Sequence, residues 1–99
     1  MKVKINRNAA KVMKEMLANK DAEGEMLRVV ISAQHDSHVH YALTYSTPTE
    51  FDEVVQTDKG IPVLLDTREE LLDGVWIQFF YVPEPGFEIT NPSKGFHGH

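Results

Sequence analysis

Hydrophobic and polar positions follow two periods along this chain, and the changes between them divide it into elements. Val3 and Ile5 flank Lys4, the alternation of a short half-buried strand. Asn6 or Asn8 then caps a run in which Ala9, Ala10, Val12, Met13, Met16 and Leu17 recur at helical spacing, which predicts an amphipathic helix over 7–19 with Lys11, Lys14 and Glu15 on its polar face. The segment Asn19 to Glu25 is polar and contains Gly24, as a loop would. From Met26 to Ser32 the chain is mostly apolar, and Val29, Val30 and Ile31 favour a strand. Val39, Tyr41, Leu43 and Tyr45 alternate with His38, His40, Ala42 and Thr44, a period of two that predicts a second strand.

Phe51, Val54 and Val55 suggest a further strand, and Thr57-Asp58-Lys59-Gly60 forms a turn from which Ile61 to Leu65 returns. Pro62 has no N–H for a ladder, so its strand is expected at a sheet edge or beginning after it. Asp66 or Thr67, with Glu69 or Glu70 three residues on, resembles a capping box opening a short helix through Leu72, which Asp73-Gly74 ends. Val75 to Val82 reads as a buried strand containing Trp76, Phe79, Phe80 and Tyr81. Pro83 to Gly86 reads as a turn, Phe87 to Thr90 as a last strand, and Asn91-Pro92 as the start of an irregular tail. The sum is one α+β, β-rich domain over 1–99, with about 93–99 expected as a flexible C-terminal tail.

Composition narrows the functions. Hydrophobic residues make up 41% of the 99 and charged residues 25%, within the ordinary globular range. Ten basic against 15 acidic residues give a formal charge of −5, which argues against nucleic-acid binding, where a basic face must neutralise phosphates. The chain has no cysteine, so disulfides, thiolate catalysis and all-cysteine metal sites are excluded. No apolar run approaches the roughly 20 residues of a membrane span, and the first residues lack a signal-peptide core. A cytoplasmic protein is the expectation.

Candidate chemistry gathers at the histidines, which are His35, His38, His40, His97 and His99. On a strand His38 and His40 share one face, opposite Val39 and Tyr41, and Asp36 joins them if the extended conformation reaches back. His97-Gly98-His99 pairs two imidazoles across a glycine that allows a tight bend. Imidazole with carboxylate suits zinc, nickel or ferrous iron. The same histidines also suit solvent-facing strand positions and a terminal tail. Serines occur in no nucleophile-elbow motif, the glycines are too scattered for a phosphate loop, and the aromatic run suits a core better than a stacking platform.

Leu72-Asp73-Gly74, a strand, Gly86-Phe87, then Asn91-Pro92 and a terminal X-Gly-X pair occur here in one order and spacing. Together with Arg28-Val29-Val30-Ile31, Tyr41 and Leu43, and the N-terminal strand and helix, they resemble the HesB-like (IscA-related, A-type) family of iron–sulfur cluster assembly proteins over nearly the whole chain. The resemblance implies a compact β-sandwich or barrel-like domain with an N-terminal amphipathic helix and a short second helix. It also implies a non-enzymatic role in iron–sulfur cluster biogenesis or iron handling, with iron–sulfur assembly proteins as partners and a homodimer as the oligomer. That family uses one cysteine after a glycine-rich turn and two more in a Cys-Gly-Cys ending. Here the first falls at Asp36, with His35 as its competitor, in the altered turn Ala33-Gln34-His35-Asp36-Ser37-His38, and the terminal pair falls at His97 and His99.

Imidazole and carboxylate are harder than thiolate and do not by themselves hold a cluster. The expected site is therefore a single iron or zinc ion on Asp36, His97 and His99, with His35, His38 and His40 as secondary ligands. Two other classes compete with it. One is a protein-interaction module that retains the fold without metal; the other is a His/carboxylate metalloenzyme, for which no general base or substrate pocket is visible in the sequence.

Overall fold

Asn6 fixes the first junction of the chain. A computed structural model describes residues 1–20, 23–35 and 38–94. In it Val3–Ile5 forms strand β1 and Arg7–Ala18 forms helix α1. The Asn6 side-chain oxygen caps the helix by accepting from the Ala9 N–H at 2.8 Å, and also accepts from the Phe79 N–H at 3.2 Å. One side chain thus starts the helix and ties it to a distant strand. The apolar stripe of α1 then buries Ala9, Ala10 and Met13 in the core.

Met26–His35 is β2 and His38–Ser46 is β3, paired antiparallel from Met26↔Ser46 to His35↔His38 with a register shift between Ile31 and Ala33. Asp52–Gln56 (β4) and Pro62–Asp66 (β5) pair across the turn at Gly60, whose φ of 75° suits glycine. These strands make one sheet in the order β3-β2-β5-β4, with β5 parallel to β2. Pro62 therefore opens an interior strand: its missing N–H falls at the strand's first residue rather than along a sheet edge.

Val75–Phe80 (β6) and Gly86–Thr90 (β7) complete a second sheet, β1-β6-β7, in which β1 runs parallel to β6 and β7 antiparallel to it. Inward residues of both sheets, including Leu27, Val29, Val63 and Leu65 from one and Ile5, Val75 and Ile77 from the other, form one buried cluster closed by α1. This is the β-rich α+β sandwich that the sequence predicts.

Three local expectations are corrected. The short helix is a single 3₁₀ turn, Glu70–Leu72, capped by Glu69 through the Leu71 N–H, because the Asp66 carboxylate is taken up by Arg68. The strand expected to run to Val82 stops at Phe80; Phe79 is buried, but Phe80, Tyr81 and Val82 are exposed. Asn91 does not begin an irregular tail. It is fully buried, and Pro92–Lys94 continues as a 3₁₀ turn.

Candidate functional site

The β2–β3 hairpin carries the first group of histidines. Directly paired residues share a face, so His35 opposite His38, and His40 opposite Ala33, lie on the same side of the hairpin. All three histidines are exposed, whereas Val39 and Tyr41 turn inward. The register shift at Ser32 produces this arrangement. Before it Arg28 and Val30 face out, and after it Ala33 and His35 do. Among the described residues no three His, Asp or Glu side chains gather to hold a metal ion. Asp36, His97 and His99 lie outside the described residues.

Tyr41, Leu71 and Asn91 form a hydrogen-bonded lock. The Leu71 carbonyl oxygen accepts from the Tyr41 hydroxyl at 2.8 Å and from the Asn91 amide at 2.7 Å. The same Asn91 amide donates to the Asp73 carbonyl at 2.9 Å, and the Ser93 hydroxyl lies 2.7 Å from the Asn91 side-chain oxygen. Burial raises the pKa of the Tyr41 hydroxyl above its ordinary value, against the opposing pull of Asn91. Tyr41 therefore stays protonated and can donate at neutral pH.

Gly74 completes the lock. Its φ is +93°, and a Cβ placed there would come within 2.0 Å of the Ser93 hydroxyl oxygen. A side chain at 74 would thus be strained in its backbone and would displace Ser93. Two of the short sequence motifs, Leu72-Asp73-Gly74 and Asn91-Pro92, are the two halves of this contact. Sequence reasoning found the motifs and counted Tyr41 among the residues of the resemblance, but missed its bond to Leu71, which contributes only a backbone carbonyl and so leaves no residue-type signal.

The lock bears on the undescribed segments. Tyr41 and Asn91 meet at one carbonyl, Asp36 is five residues from the first, and His97 is six from the second. At about 3.3 Å per extended residue the first distance is at most roughly 17 Å along the chain, and the second is shortened by the 3₁₀ turn Pro92–Lys94. The donor set itself fits a single borderline metal ion and does not fit a thiolate-held cluster, since the chain has no cysteine.

No family model matches the chain. It is 30% identical over 97 residues to the iron-binding protein IscA of Proteus mirabilis, an alignment that spans 94% of this chain and 88% of that protein.

Proposed function

This chain belongs to the IscA family, and from that premise we propose that it handles iron as a carrier, holding a single ferrous or zinc ion on Asp36, His97 and His99 rather than an iron–sulfur cluster. The observation that carries the reading is the lock at Leu71, where the arm of the β2–β3 hairpin and the start of the C-terminal segment accept a common anchor. Asp36 lies five residues along the chain from Tyr41, and His97 lies six from Asn91. The chemistry follows from the ligands. Neutral imidazole and carboxylate bind one divalent ion without the soft donation that stabilises bridging sulfide, so delivery of a metal ion replaces delivery of a cluster. Partners on this reading are proteins of iron–sulfur assembly, and no catalytic step is assigned to the chain.

The test is anaerobic titration of the untagged protein with ferrous iron and, separately, zinc. One equivalent is expected to bind, and the Asp36→Ala/His97→Ala/His99→Ala variant is expected to lose it. Both ions should dissociate as the pH falls through about 6.5, where imidazole protonates. Equal binding by the two proteins sinks the ligand set. Binding by neither points to the interaction module instead.

A further inference from the structure

The charge of this acidic protein is not evenly spread. Arg7, Lys11 and Lys14 recur at i, i+4 and i+7 along α1, which puts them on one face over about 10 Å. Lys59, from the turn between β4 and β5, stands across from them. Together with Ala10 and Glu15, the one carboxylate among the described lining residues, they line a surface groove of about 580 Å³. All four cations are exposed.

Cations elsewhere on the described surface are mostly spoken for. Arg28 is paired with Asp52 and Arg68 with Asp66. Lys4 lies over the Trp76 ring, and Lys20 donates to the Glu25 carbonyl. Arg7, Lys11 and Lys14 form no ion pair among the described residues, and Lys59 has only its neighbour Asp58, at 3.6 Å in solvent. The groove concentrates four cations against the single lining carboxylate of Glu15, with Asp58 beside Lys59, on a chain of formal charge −5.

We propose that this groove docks an acidic segment of another protein, a run of Asp and Glu side chains presented on the partner's surface. Charge complementarity selects this occupant. A partner with net negative charge is repelled by the net charge of the molecule and attracted at this concentration of cations, so the groove favours one orientation of approach. A second copy of the chain fits less well, because joining one copy's groove to another's acidic face is a head-to-tail contact that leaves the same two surfaces open again. Nucleic acid fits less well also, because phosphates extending past these four cations would meet the surrounding acids. The proposal does not depend on the metal site.

The test uses the full-length protein, labelled for NMR, and a synthetic peptide rich in Asp and Glu. Amide shifts are expected along Arg7–Lys14 and at Lys59, fading as salt is raised. Lys11→Glu/Lys14→Glu should weaken binding about tenfold or more, since several exposed attractions become repulsions. Lys11→Gln/Lys14→Gln should weaken it less. The matched reversal Lys2→Glu/Arg68→Glu, which changes net charge equally at other exposed sites, should bind like the parent, with circular dichroism confirming that every variant is folded. Equal weakening by the two reversals, absence of shifts in the groove, or tighter binding of an oligothymidylate of the same charge would each overturn the proposal. So would self-association in sedimentation that Lys11→Glu/Lys14→Glu abolishes.

Discussion

Asn91 has no exposed surface, and its side-chain amide donates to carbonyls about twenty positions earlier in the chain. Each of these two backbone carbonyls also accepts from a hydroxyl, Leu71 from Tyr41 and Asp73 from Ser93. Asn91→Ala is expected to lower unfolding free energy by about 1–3 kcal/mol, through the loss of two hydrogen bonds made by a fully buried side chain. Asn91→Asp should be at least as damaging despite its closer shape, because a carboxylate would set negative charge against the Leu71 and Asp73 carbonyls. Denaturant titration checks both, and a harmless Asn91→Asp would show that the amide is not the essential donor. The sequence offers Asn91-Pro92 only as the usual opening of an irregular segment. What makes it structural is a pair of distant carbonyls, and carbonyls are common to every residue.

Elements with strong periodicity were legible, and the departures from expectation fall where a tertiary contact decides. The helix over 7–19 and the strand from His38 appear within a residue or so of their predicted bounds, because each has a continuous apolar face to bury. β6 ends before Tyr81 because its pairing with β7 ends at Phe80↔Gly86, and aromatic character alone does not continue a ladder. Between β2 and β4, Arg28 and Asp52 form an ion pair across the face of β5, with side chains only 12% and 1% exposed.

That hydrogen-bonded pairing with Arg28 holds the pKa of Asp52 below the ordinary carboxylate value. A depressed acid contributes stability that is fully present above the unfolded-state pKa of about 3.9 and is lost as pH falls through the folded value. Asp52→Asn should therefore cost about 2–3 kcal/mol at neutral pH by leaving Arg28 without its counter-charge. The difference from the parent should narrow below about pH 4. Thermal unfolding followed against pH tests this, and a constant difference across the range would contradict it.

For the molecule as a whole, family and architecture could be read from ordered motifs because those motifs include the fold's own lock. Leu72-Asp73-Gly74 and Asn91-Pro92 meet in this structure, through the Asn91 amide and the close approach of Ser93 to Gly74. The candidate site rests on the sequence alone. Asp36, His97 and His99 are proposed through the family resemblance, and all three lie outside the described residues. The exposed His35, His38 and His40 show why residue type alone does not make a site: three histidines on one face of a hairpin gather no metal-holding group among the described residues. The basic groove was hidden by the opposite error, since the net charge of −5 conceals a local excess of cations.

Zinc K-edge absorption spectroscopy of the zinc-loaded protein tests the central claim most directly. The account predicts a first shell of nitrogen and oxygen only, at about 2.0–2.1 Å, with the outer-shell scattering of two imidazoles that His97→Ala/His99→Ala removes. The same imidazole signal persisting in that variant would contradict it.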